Sequence, residues 1–317
     1  MTPDSKTAVK ALQDDLRRLF PSSHELLLPH CLNPKGLALG LRHTDMVLEM
    51  IGAALADDVL HHVRTANVLL SAYYFLLDAV VDGHPPKRGN EPMELAAKLQ
   101  AERGATWAVL LTHLLSGAIS EYIDAAALIG EERRQKMMVL FRRYAERNAN
   151  AVISENEIRA TTRRAPREVE YASVVGRSCS ALFLCEALAL LAGKESDPAM
   201  LGAVSDFVYL MQMSDDLLDW REDFQTGNLT PIIQQCAGGA PSPAEEEIER
   251  TLLLGGEFER HAAEIIRGLD RVEAVNAALP FPGTYFHAYI VAVRQRILEA
   301  LTQIVTVKTE LVASHAG

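Results

Sequence analysis

Apolar residues recur along this chain at spacings of three and four, alternation at two is nearly absent, and alanine and leucine dominate the apolar stretches. That is the pattern of helices packed on helices, and it predicts an all-α protein. Pro21, Pro29 and the run Asn33 to Gly36 separate a first helix from one starting near Leu39. The segment GHPPKRGNEP at 83–92 ends a strongly apolar helix over about 57–82, since proline cannot continue a helix. Further helices are predicted over roughly 93–116, 118–129, 131–164, 167–193 and 197–225, with a stop at Gly227 and Pro231. The last two, near 244–279 and 283–313, are split by LPFPG. No segment differs enough in composition to be a second domain and no repeat is present. The expectation is one domain over 1–317, a single bundle of about ten helices around a central apolar cavity.

Composition narrows the function. Of 317 residues, 49% are hydrophobic and 23% charged, enough to bury a core and too apolar for a disordered chain. Lys and Arg number 31 against 42 Asp and Glu, a net charge of -11. This has the wrong sign for wrapping nucleic acid, and it suits an anionic substrate only where carboxylates hold divalent cations that hold the anion. The four cysteines, Cys31, Cys179, Cys185 and Cys236, form no CxxC pair and read as reduced thiols of a cytoplasmic protein. The amphipathic N-terminus is unlike a signal peptide, and no run approaches the ~20 apolar residues of a membrane span, so a soluble protein is expected. The ten histidines show no HExxH spacing, and neither a Gly-rich phosphate loop nor GxSxG occurs.

The strongest chemical feature is LMQMSDDLLDWREDFQTGNLTP at 210–231. Asp215, Asp219 and Asp223 stand at i, i+4 and i+8 and share one helical face, where like charges repel. Apolar neighbours Met211, Met213, Leu217, Leu218 and Trp220 argue that a cation compensates them. Oxygen ligands without histidine or thiolate suit Mg2+. A second pair, Asp78 and Asp82 in LLDAVVDGHPPKRG, ends a helix where the dipole is negative and a bound cation is favourable. Two such helices facing one cavity would hold a cluster of Mg2+ ions around a diphosphate.

These residues resemble the class I isoprenoid synthases, the superfamily of isoprenyl diphosphate synthases, squalene and phytoene synthases and class I terpene cyclases. The resemblance rests on LLDAVVDGHPPKRGNEP, SALFLCEALALLAG and QMSDDLLDWREDFQTGNLTP and covers about 57–231. It implies that fold, three Mg2+ ions held by Asp78, Asp82, Asp215, Asp216, Asp219 and Asp223, a prenyl diphosphate substrate and a homodimer. Substrate contacts would come from Tyr73, Tyr74, Phe75, Arg88, Arg177, Phe183, Phe207, Met211, Gln212 and Arg294. Arg177, alone in an otherwise uncharged run, is the candidate diphosphate sensor, with Lys87, Arg221 and Arg296 as further cations. Asn148, Glu155 and Glu157 are left unassigned.

The departures bear on the reaction. Ala79 replaces the second Asp of the elongating enzymes' first motif, and Ser178-Cys179 stands where they carry Lys-Thr. Their N-terminal Gly-Lys-Arg segment is not evident; NPKGLALGLR, with Lys35 and Arg42, is a degenerate counterpart at best. Loss of the second substrate's site with retention of the metal trap makes a terpene cyclase the first expectation. The alternatives are a prenyltransferase, condensing isopentenyl diphosphate or two prenyl diphosphates head to head, and a catalytically silent regulatory subunit.

Overall fold

A computed structural model describes residues 34–81, 106–159, 163–240 and 242–315, with the isolated helical positions 10, 14 and 17. Every regular element among them is helical. The helices are α1 (Pro34–Met50), α2 (Asp57–Val81), α3 (Thr106–Ile129), α4 (Glu131–Arg159), α5 (Arg167–Arg177) and α6 (Ser180–Leu191). They continue with α7 (Pro198–Leu218), α8 (Trp220–Gln225), α9 (Pro231–Ala237), α10 (Glu245–Glu249), a π-helical turn (Arg250–Leu254), α11 (Glu257–Ala278) and α12 (Thr284–His315). No single helix among the described residues is long and apolar enough to cross a membrane. The chain divides into two compact units, one of residues 1–141 and 187–195, the other of 142–186 and 196–317.

In the first unit α2 packs against both α1 and α3. Its buried positions Val59, Val63, Ala66, Leu69, Ala72 and Leu76 recur at three and four, as do Leu111, Leu114, Ala118, Tyr122 and Ala125 of α3. Asp57 and Asp58 open α2, where the helix dipole favours carboxylates. Gly40 lets α1 approach closely, because a Cβ there would lie 3.0 Å from the Val68 Cα. Polar groups buried in this contact are satisfied among themselves. Asn67 donates to Thr44 Oγ1 at 2.6 Å, Thr44 donates to the Gly40 carbonyl, and the Tyr122 hydroxyl donates to Asn67. Lys194 closes the end of α1 by donating to the Ile51 and Gly52 carbonyls at 2.7 and 2.6 Å.

In the second unit α7 is the central element, packed by α5, α11 and α12. Asp197 caps it, accepting from the Ala199 N–H at 2.8 Å, and Pro198 occupies its first turn. Three breaks depart from the expected helices. The span 167–193 divides at Ser178, because Asn148 donates to the Arg177 carbonyl at 2.8 Å and so takes over an acceptor the helix would otherwise use. The span 197–225 bends at Asp219, whose φ of -102° and ψ of 12° end α7 and begin α8. The span 244–279 is interrupted at Gly255 and Gly256, the latter at φ +83°, a left-handed conformation that glycine adopts readily. Conversely, the two helices expected over 93–116 and 118–129 are continuous as α3 from Thr106, since flanking Leu114 and Ala118 are fully buried and packing outweighs the helix-weakening Gly117. The part of that expectation before 106 lies outside the described residues.

Candidate functional site

The aspartate stripe survives the bend in α7. The Asp219 N–H bonds the Asp215 carbonyl at 2.8 Å and the Asp223 N–H bonds the Asp219 carbonyl at 3.1 Å, so each carboxylate follows the last by one turn. The three side chains nevertheless sit differently. Asp215 is half-buried and 3.1 Å from the guanidinium of Arg296 on α12. Burial pushes its carboxyl above the usual range and Asp219 adds to that, while Arg296 opposes it. Asp219 is exposed and has no ion-pair partner among the described residues. Asp223 is only 7% exposed and accepts from Asn228 Nδ2 at 2.9 Å.

Arg177 is fixed by two neighbouring helices, α4 and α7. Its guanidinium donates to Gln212 Oε1 of α7 at 2.7 Å and lies 3.1 Å from Glu155 Oε1 of α4, while its carbonyl is held by Asn148. Gly176 makes this approach possible, since a Cβ there would fall 2.5 Å from the Ala151 Cβ. Gln212 passes the connection on, donating through Nε2 to Asp216 Oδ1 at 2.7 Å. Asn148 and Glu155, unassigned from the sequence, are therefore the residues that place Arg177. Their seven-residue spacing on α4 was the legible signal, though a solvated face predicts the same spacing.

Other candidate residues are placed elsewhere. Arg294 is taken by Asp270 and Glu273 of α11, so Arg296, two residues on, is the α12 cation at the stripe. Arg221 turns to Glu245 and Glu249 and lies 4.9 Å over the Trp220 ring. Phe183 and Phe207 are buried in edge-to-face pairs with Tyr144 and Phe286, at 5.8 and 5.2 Å between centroids. Met211 is 39% exposed. In the first unit Tyr73 and Tyr74 are half-buried and meet edge to face at 5.1 Å; burial raises the Tyr73 hydroxyl. The backbone of Phe75 and Asp78 is in α2, but their side chains, like Asp82, Lys87, Arg88 and Cys31, lie outside the described residues. Cys179, Cys185 and Cys236 are buried free thiols, pushed up to about 11, 12 and 11 by burial.

Positions 209, 212, 213 and 216 of α7 share a face that borders a cavity of about 20 Å3. It has room for about one water and none for a prenyl chain. Arg164, Glu170 and His261 complete its polar wall. Arg164 binds both Glu170 oxygens, at 2.7 and 2.9 Å, and Glu170 is 2% exposed. His261 Nε2 accepts from Arg260 at 3.0 Å. Burial, then the charges of Arg260 and Arg164, push this imidazole down to about 4. The folded protein therefore resists protonating His261 while the unfolded chain binds a proton near 6.5, so stability falls as pH drops from about 6.5 to 4. His261→Gln should remove about 2 kcal/mol of that loss after allowance for solvent screening. Urea midpoints of both proteins at pH 7 and 4.5 measure it, and parallel curves would refute the assignment to His261.

The donor set for a metal is oxygen only. No group of three or more His, Cys, Asp or Glu converges among the described residues. Mg2+ keeps several waters and is usually held by one or two carboxylates together with substrate phosphates. Accessible Asp215 and Asp219, one turn apart, fit that role; Asp223, closed in by Asn228, fits it less directly, and Asp216 is engaged by Gln212.

No family model matches the chain, and no curated protein is similar to it in sequence. Its fold matches solved structures over nearly its full length. A geranylgeranyl pyrophosphate synthase from Lactobacillus brevis has a TM-score of 0.65 at 17% identity, covering 93% of this chain and 96% of that one. A polyprenyl synthase from Caulobacter crescentus, complexed with calcium and isoprenyl diphosphate, gives 0.62 at 18%, covering 91% and 98%. A decaprenyl diphosphate synthase from Rhodobacter capsulatus gives 0.65 at 14%, covering 95% and 96%. The chain has the all-α fold of these prenyl diphosphate synthases.

Proposed function

We propose that this protein is a divalent-metal-dependent enzyme acting on prenyl diphosphates, and that it is a prenyltransferase. The observation that carries the reading is the combination of that fold with Asp215 and Asp219, two accessible carboxylates one helical turn apart and flanked by Arg296. The likeness to chain-elongating synthases moves the preference away from the cyclase first expected. A cyclase remains the second reading because of Ala79 and Ser178-Cys179, where the elongating pattern has Asp and Lys-Thr.

In this proposal Asp215 and Asp219 hold Mg2+, the role that the sequence motif also gives to Asp78 and Asp82. When bound, the metal supplies charge neutralisation on the departing diphosphate. Arg177 contributes a fixed cation whose orientation is set beforehand by Glu155 and Gln212, so little reorganisation is required as charge develops. Glu155 and Asn148 act through Arg177 and are positioning residues. Tyr73 and Tyr74, on the turns of α2 before Asp78, are proposed to limit the length of the chain accommodated.

The test is incubation of the purified protein with Mg2+ and C10 to C20 prenyl diphosphates, each with and without isopentenyl diphosphate. Pyrophosphate release and a longer diphosphate product only when isopentenyl diphosphate is present is the expected result. Hydrocarbon or alcohol from one prenyl diphosphate alone would establish the cyclase, and no turnover with any combination would leave the silent subunit.

A further inference from the structure

We propose that Arg296 is a resident counter-ion of Asp215 that competes with the metal for this carboxylate, so that the site loads metal weakly until a diphosphate engages the guanidinium. The inference rests on the metal reading above and concerns how that site is regulated.

The geometry is asymmetric. Of the two accessible aspartates on the stripe, Asp215 has a guanidinium nitrogen 3.1 Å from its Oδ1, whereas Asp219 has no ion-pair partner among the described residues. Arg294, on the same helix, is held by Asp270 and Glu273, so α12 commits one arginine to α11 and the other to the stripe. Arginine stays charged, so it cannot vacate the carboxylate by losing a proton. A divalent cation must displace it or bind beside it against repulsion. The pair is about half exposed on both sides, at 52% and 41%. At that exposure an ion pair is weak, which makes Arg296 a displaceable competitor and not a permanent lock. A guanidinium matches phosphate oxygens in the same forked geometry as a carboxylate, so a diphosphate offers it an alternative partner and releases Asp215.

The experiment titrates Mn2+ into the full-length protein without any diphosphate and counts bound ion by electron paramagnetic resonance. Removing a unit charge about 5 Å from a divalent ion near the surface should tighten its Kd about tenfold in Arg296→Gln. Arg296→Lys, which retains the charge, should stay within about twofold of the parent. An Arg296→Gln protein that binds Mn2+ no better than the parent would overturn the inference. Asp215→Asn separates this from the underlying reading. If it weakens Mn2+ binding while Arg296→Gln changes nothing, only the competition fails; if it binds Mn2+ like the parent, the metal assignment fails as well. In turnover the Arg296→Gln enzyme should show a severalfold higher KM for prenyl diphosphate, and an unchanged KM would refute the hand-over to substrate.

Discussion

Replacing Asp219 with alanine should lower pyrophosphate release from a prenyl diphosphate by about 10^2 to 10^3, the usual cost of deleting a group that stabilises transition-state charge. The helical circular dichroism and urea midpoint should remain within about 0.5 kcal/mol of the parent, because an exposed side chain at a helix junction contributes little to folding. Asp219 is the informative choice on the stripe. Asp215 is coupled to Arg296, and buried Asp223 holds Asn228 at 2.9 Å, so changing either alters other contacts as well. Arg294→Gln is the matched control: its guanidinium serves α11, and activity should stay within about twofold. Full activity in Asp219→Ala would remove the carboxylate pair from the reaction.

Arg164→Ala should be the most destabilising polar substitution in the second unit, at about 3 kcal/mol. Arg164 binds both oxygens of Glu170 and also reaches Gln235. The Glu170 side chain is 1% exposed against 28% for Arg164, so truncation leaves a buried carboxylate uncompensated. Breaking a buried pair costs roughly 3 to 5 kcal/mol, and the partial exposure of the arginine places this case at the low end. Replacing both residues with leucine should cost less than the single change, since no buried charge is then left behind. Urea unfolding of the three proteins at pH 7 measures this, and a single-variant loss below about 0.5 kcal/mol would show that water reaches Glu170.

The positions where reading the sequence succeeded and failed have local physical causes. Repeats at three and four made α2 and α12 legible, because burying one helical face demands that spacing whatever the partner. The breaks at Ser178 and Asp219 were not legible. The first depends on Asn148, 29 residues away, donating to the Arg177 carbonyl, and no local propensity encodes a remote donor. Phe183 and Phe207, expected at the substrate, pack edge to face on Tyr144 and Phe286, partners that the sequence did not disclose, since an aromatic residue on an apolar face reads alike whether it lines a pocket or fills a core. The choice of Arg296 over Arg294 turned on where Asp270 and Glu273 of α11 lie, which the sequence of α12 does not contain.

The sequence by itself determined the helical architecture and the stripe of Asp215, Asp219 and Asp223, because both follow from the 3.6-residue period acting within one segment. Only the tertiary structure decided which arginine meets Asp215, that Glu155 and Gln212 clamp Arg177, and that Asp223 is closed in while Asp219 is open. The arginine contacts depend on which side chains from distant segments come within about 3 Å of one another, which is set by how the helices pack, and the enclosure of Asp223 depends on the turn that brings Asn228 back to it.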